Sequence, residues 1–275
     1  MKIALLVSYE GTSFKGWQQT SEGESIEGAL KKALEHVLQH EVKLDAASRT
    51  DAGVHATGQV VHFEVSQKPK LEETKLLKGI NGLLPHAIVV RGISEVSAQF
   101  HSSLSAVGKE YHYYLWIHPT MPPHLRLYLW RCFFQLDKEK MISAAKYLLG
   151  THSFEALCND KERTGHKSYI RRLDRLEILQ PAPYLLRIEM EGNGFLYRMA
   201  RNLVGLLVAC GRNQIEPEQV PLILEQGERK NAGVTAPAEG LYLHRVIYRE
   251  EDVPSLFLHR SSPALQRWLP LMQPW

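Results

Sequence analysis

Between Ile26 and Leu38 the apolar residues Ile26, Ala29, Leu30, Ala33, Leu34, Val37 and Leu38 fall three or four positions apart. That spacing lines one face of a helix, and Ser25 in front of it supplies an acceptor for N–H groups that a first turn leaves unpaired. On either side the pattern shortens. Ile3 to Ser8 is a brief apolar run, and Gln59-Val60-Val61-His62-Phe63-Glu64-Val65 is rich in β-branched and aromatic residues; both are predicted strands of a sheet that the helix covers. A second helix is predicted near Leu71 to Leu84, stopped by Pro85, with a strand at Ile88-Val89-Val90.

From Lys109 onward the same kinds of element recur. Tyr111, Tyr113, Leu115 and Ile117 alternate with His112, Tyr114 and Trp116 at strand spacing. Asp137 offers an N-cap to a helix that turns Met141, Ala144, Ala145, Leu148 and Leu149 inward and ends at Gly150. Further strands are predicted at about 170–179 and 184–190. Strand, amphipathic helix and further strands thus occur once in each half, which predicts an α+β fold of two similar units, 1–105 and 106–250, with 251–275 as an extension.

Composition narrows the class without choosing a chemistry. A chain of 275 residues, 44% hydrophobic and 23% charged, buries a good core and carries no low-complexity tract. Its net charge of +3 permits a nucleic-acid partner without demanding one. Cys132, Cys158 and Cys210 lie far apart with no CxxC spacing, which speaks against a disulfide framework and a zinc site and for buried thiols in a reducing compartment. The apolar start is too short for a signal segment and no later run approaches a membrane span, so a cytoplasmic protein is expected.

Chemistry concentrates in Ser48-Arg49-Thr50-Asp51-Ala52-Gly53-Val54-His55, a segment with neither helical nor strand periodicity. A polar loop next to a strand can aim a carboxylate at a ligand; the same Asp-Ala-Gly composition also makes an ordinary turn. Between Asp160 and Arg175 the cations Lys161, Arg163, Lys167, Arg171, Arg172 and Arg175 gather against only Glu162 and Asp174, a pattern suited to phosphate or to plain solvent. In the segment from Gly192 to Gly205, two glycines enter a predicted helix in which Arg198, Arg201, Asn202 and Gly205 share a side, while Leu196, Met199, Leu203, Leu206 and Leu207 form the apolar stripe.

Arg49-Thr50-Asp51-Ala52-Gly53-Val54-His55-Ala56 resembles the active-site motif of the TruA family of tRNA pseudouridine synthases. The likeness continues in order through Tyr9, Gly11, Phe14 and Gly16-Trp17-Gln18; Ser25 to Leu30; Gln59 to Phe63; Phe100-His101; Lys109 to Tyr113; Gly194-Phe195-Leu196 with Met199 and Arg201-Asn202; and Thr235-Ala236-Pro237 with Gly240 to Leu243. It covers roughly residues 1 to 250. The resemblance implies a pseudouridine synthase fold, two α+β halves sharing a mostly antiparallel sheet with a central active-site cleft. It implies conversion of uridine to pseudouridine in the anticodon stem-loop of tRNA, at positions 38 to 40, by homodimers that use neither metal nor organic cofactor. Asp51 then matches the essential aspartate, Tyr111 the tyrosine lying against the target uracil, Arg201 the arginine that pairs with the aspartate, and Arg49 an arginine that holds the flipped nucleotide. His55, Arg198, Lys167 and Arg171 are further expected substrate contacts.

The family continues Phe-His with Ala-Arg, where this chain has Ser102-Ser103, so a cation is missing there, and the local grip on tRNA is expected either to be weaker or to be supplied by the cluster at 161–175. Two other readings are separable. A non-catalytic tRNA-binding module has little use for a buried carboxylate near phosphates. A nucleosidase or glycosidase would release free uracil and needs a second catalytic carboxylate, for which no candidate is evident.

Overall fold

The computed structural model describes residues 1–19, 23–66, 72–159 and 168–258. Its strands, mostly antiparallel, and its helices fall into two compact units, one formed by Met1–Gly108 together with residues 242–258, the other by Lys109–Leu241. The expected C-terminal half, 106–250, therefore gives up its last strand, which pairs in the first unit. Among the described residues no helix is long and apolar enough to cross a membrane.

In the first unit the strands are β1 (Lys2–Tyr9), β2 (Asp45–Ala46), β3 (His55–Glu64) and β4 (Ile88–Val96), joined late in the chain by β10 (Leu241–Ile247). β1 sits between β4 and β3, antiparallel to both. On the other edge of β3, β10 runs parallel beside His55 and Ala56, and β2 takes Val61 and His62. Helix α1 (Ile26–Leu38) starts where its cap predicts: the Ser25 hydroxyl accepts from Gly28 N–H, and Ile26, Leu30, Ala33 and Leu34 are buried. Helix α2 (Glu73–Leu83) packs on β4 through Leu76 and Ile80. Ahead of the Asp51 loop Asp45 and Ala46 pair with β3, and the loop is shorter than expected because His55 already belongs to the strand.

The second unit orders β5 (Gly108–Trp116), β7 (Gly150–Ser153), β8 (Ile170–Ala182) and β9 (Leu185–Gly192) as β5-β9-β8-β7, all antiparallel, with β6 (Trp130–Arg131) parallel to the end of β5. Helices α3 (Lys138–Leu148), α4 (Met199–Gly211) and α5 (Val220–Gln226) complete it, α3 packing on β8, α4 and α5. Asp137 caps α3 through Lys140 N–H, and Gly150 takes the positive φ of 96° that releases the chain into β7. Register separates the two sheet faces. Tyr111, Tyr113 and Leu115 stand with Met190, Ile188 and Leu186 as an apolar face, while the other carries Glu110, His112, Glu189, Arg187 and Arg175.

On that second face Arg175 reaches Glu110 at 2.6 Å, and Glu189 as well; Arg187 meets Glu189 at 2.7 Å and His112 Nε2 meets Glu110 at 2.7 Å. Burial works against the Arg175 charge, but the Glu189 and Glu110 carboxylates outweigh it and hold its pKa above the usual arginine value.

Candidate active site

The Asp51 loop is braced from both sides within the first unit. Before it, the Gln59 amide closes a two-way clamp on Ser48, donating to its carbonyl at 2.6 Å and accepting from its N–H at 3.2 Å. Thr50 is fixed by its hydroxyl, 2.8 Å from the Tyr9 hydroxyl, and by its carbonyl, which accepts from Trp17 N–H at 3.0 Å. After Asp51 the chain turns back with Val54 N–H donating to the Asp51 carbonyl, and Gly53 takes a φ of 80° that a side chain would oppose.

Two glycines let the opening loop come this close. A Cβ on Gly11 would sit 2.0 Å from the Val54 carbonyl oxygen, and one on Gly16 would sit 2.7 Å from that of Thr50. Asp51 is half-buried and Arg49 is exposed on the same loop. A carboxylate so placed has lost most of its freedom before any ligand arrives.

His55, expected among the substrate contacts, is only 1% exposed. Its Nδ1 accepts from Gly11 N–H at 3.1 Å and its ring stacks on Tyr242 at 4.6 Å, so it braces the loop and offers no surface to RNA. Tyr9, Thr50 and Gln59 are bracing residues that periodicity alone does not reveal. Gln59 carries the clearest signal: an amide in a strand of apolar neighbours must find internal partners.

In the second unit Tyr111 is buried on the apolar face of β5, its ring edge-on to Phe195 at 4.8 Å. Arg201 lies in the first turn of α4, where its Nε donates to the Ala236 carbonyl at 2.7 Å and its own carbonyl accepts from Ala236 N–H at 3.2 Å. The same loop is tied further along by Arg229, which donates to Asn202 Oδ1, Thr235 Oγ1 and the Gly233 carbonyl at 2.8, 2.9 and 2.7 Å. Tyr113 donates to the Pro237 carbonyl at 2.8 Å.

Arg198 does not share a helical face with Arg201. It precedes the helix in a left-handed conformation, φ 58°, with its guanidinium 5.0 Å from the Tyr197 ring centre. Of the expected cation cluster, residues 160–167, Lys167 among them, lie outside the described residues. Arg172 is paired to Asp174 at 2.6 Å and Arg175 belongs to the carboxylate network, whereas Arg171 is half-buried and, among the described residues, donates to the Ser168 and Ile170 carbonyls.

Asp45, His62 and His101 place ligand-type atoms within 4.8 Å of one another in the first unit. The donor chemistry disfavours a metal there. His62 Nδ1 accepts from Ser102 N–H and His101 Nδ1 from Ser103 N–H, so each neutral ring carries its proton on Nε2, the nitrogen a cation would need bare. Burial, followed by electrostatic repulsion from His101 and Lys2, lowers the His62 pKa. Ser102, in place of the family's alanine, is fully buried; its hydroxyl donates to the Asp45 carbonyl at 2.7 Å and its carbonyl accepts from Tyr248.

A family model described as tRNA pseudouridine synthase matches residues 5–103 and 144–249. The chain is 42% identical over 248 residues to tRNA pseudouridine synthase A 2 of Protochlamydia amoebophila, covering 90% of this chain and 94% of that protein. It is 40% identical over 248 residues to tRNA pseudouridine synthase A of Chlamydia muridarum, covering 90% and 92%. The corresponding protein of Vibrio parahaemolyticus is 39% identical over 254 residues, covering 91% and 93%. A family match over 5–103 and 144–249, with relatives about 40% identical across 90% of the chain, makes the chain a member of the tRNA pseudouridine synthase family.

Proposed function

We propose that this isomerase acts on uridines of the tRNA anticodon stem-loop as a cytoplasmic homodimer, with Asp51 as its essential carboxylate. Tyr111 receives the flipped base, Arg201 pairs with Asp51, and Arg49, Arg198, Lys167 and Arg171 hold the RNA. The observation that carries the reading is the Asp51 loop, pinned by Tyr9, Trp17, Gln59 and His55 around a half-buried carboxylate.

The reaction breaks the bond from C1′ to N1 of uracil and forms one from C1′ to C5; C5 gives up a proton and N1 takes one. Reactant and product are isomers, so no electron donor or acceptor is required. An ionised carboxylate serves each route to that exchange, as a nucleophile toward sugar or base or as the base that removes a sugar proton. In the proposed pairing Arg201 serves to fix the direction of the carboxylate; with Nε committed to Ala236, that pairing falls to its terminal nitrogens. A uridine in a stacked stem must leave the stack to react, and an aromatic face offsets part of the lost stacking.

The test is pseudouridine formation on an unmodified tRNA transcript, with the modified positions mapped. Asp51→Asn is expected to bind tRNA and lose turnover by on the order of a thousandfold or more. Wild-type turnover in that variant, or release of free uracil, would overturn the assignment.

A further inference from the structure

Lys109 is the second residue of β5 and lies on the sheet's apolar face, two residues before Tyr111 and on the same side of the strand. Across the sheet it pairs with Gly192, which in turn pairs with Leu173, two residues beyond Arg171. Gly192 has no side chain, so nothing from β9 stands between the lysine and the end of β8. Arg171 comes in from that end. A Cβ on Gly194 would lie 3.6 Å from its Cδ and Nε, so the guanidinium stem rests against the residue before Phe195, the ring that touches Tyr111. One cation thus precedes the tyrosine on its own strand, and the other lies against the residue before its ring partner.

Among the described residues neither cation has an anion. Among the described residues no carboxylate pairs with Lys109 or Arg171, and no hydrogen bond leaves the Lys109 ammonium. The neighbouring carboxylate, Glu110, points to the opposite face, where Arg175 and His112 engage it. Arg172 and Arg175, close by in sequence, are both paired to acids. Burial, and after it the positive charge of Arg171, push the Lys109 ammonium down to about 8, and burial lowers Arg171 as well. Two like charges held half-buried together, with no counterion among the described residues, suit an anion that arrives from outside.

We propose that Lys109 and Arg171 jointly hold one backbone phosphate of the RNA strand whose target base is received by Tyr111. This rests on the function proposed above and adds to it a contact for which Lys109 has had no assignment. The geometry favours phosphate over a base edge, because an ammonium beside a guanidinium offers only donors and positive charge.

The experiment measures affinity for an unmodified tRNA transcript against NaCl concentration for wild type, Lys109→Met, Arg171→Met, the double variant and Lys109→Arg. Each methionine variant is expected to bind about tenfold more weakly at low salt, the size of one charged contact. Each is also expected to flatten the plot of log affinity against log salt by about 0.7 to 0.9, the signature of one phosphate. The double variant should flatten it no further than a single one, since both cations share that phosphate, and arginine at 109 should restore the slope.

A stem-loop RNA with one neutral methylphosphonate, moved along the strand, should locate a linkage at which wild type weakens and Lys109→Met does not. An unchanged slope in Lys109→Met, or no such linkage, overturns the proposal. Wild-type protein that forms no pseudouridine on the transcript would instead refute the function itself, so the two failures are told apart by the parent enzyme.

Discussion

Tyr111 shows how much of a binding role one residue can hold before its ligand arrives. Its backbone is locked between β9 partners, and Phe195 meets its ring at an interplanar angle of 73°, so receiving a base orders little that is not already ordered. The contribution of the ring and that of the hydroxyl can then be separated. Tyr111→Phe keeps the aromatic face and is expected to bind tRNA as the wild type does, while Tyr111→Ala loses about 1–3 kcal/mol of affinity, the usual contribution of a base–aromatic stack. Filter binding measures both. Wild-type turnover in the phenylalanine variant would exclude the phenol from every proton transfer; an ordinary phenol, with a pKa of about 10, is a weak base at neutral pH.

At the scale of elements, α4 connects packing to chemistry. Nearly every residue from Met199 to Gly211 is buried, and a Cβ on Gly205 would lie 1.7 Å from the Val234 carbonyl oxygen. Helix and loop 233–237 are therefore in backbone contact at Gly205, and that loop holds Arg201 through Ala236. Gly205→Ala must push them apart. It is expected to destabilise the protein by on the order of 3 kcal/mol and to lower turnover in the surviving folded fraction, because the Ala236 carbonyl moves with the loop. Denaturant midpoints and single-turnover rates test the two effects separately.

The same helix explains where pattern reading succeeds and where it stops. α1 has one wet face, so its apolar period and Ser25 cap are plain in the sequence, and its bounds are legible to the residue. α4 is buried on nearly every side, so no wet face marks its start; Gly194 to Arg198 reads as helix and is loop. In the site, Asp51, Tyr111 and Arg201 stand out because ordered motifs match a family. Tyr9, Thr50 and Gln59 act through contacts between distant segments that no local period encodes.

For the whole chain, the discontinuity of the first unit matters most. β10 runs parallel to β3 directly at the end of the Asp51 loop, Tyr242 beside His55 and Leu243 beside Ala56, and no short turn could supply a parallel neighbour. The C-terminal segment from β10 onward seals the unit: Val107 N–H donates to the Ile247 carbonyl, the Tyr248 hydroxyl donates to that of Ser102 at 2.6 Å, and Leu243, Val246, Tyr248, Val253 and Phe257 are buried. Each such side chain contributes about 1.5–3 kcal/mol when taken out of water, so together they rival the net stability of a typical domain. A chain stopped after Leu241 is therefore expected to lose hydrogen-exchange protection throughout β1, β3 and β4, together with pseudouridine formation. Protection of β8 and β9, whose ladder lies wholly within 109–241, is expected to persist. Retained protection in β3 of the shortened chain would show that the Asp51 loop is held by its N-terminal partners alone, and that the return of the chain at Tyr242 serves something other than its support.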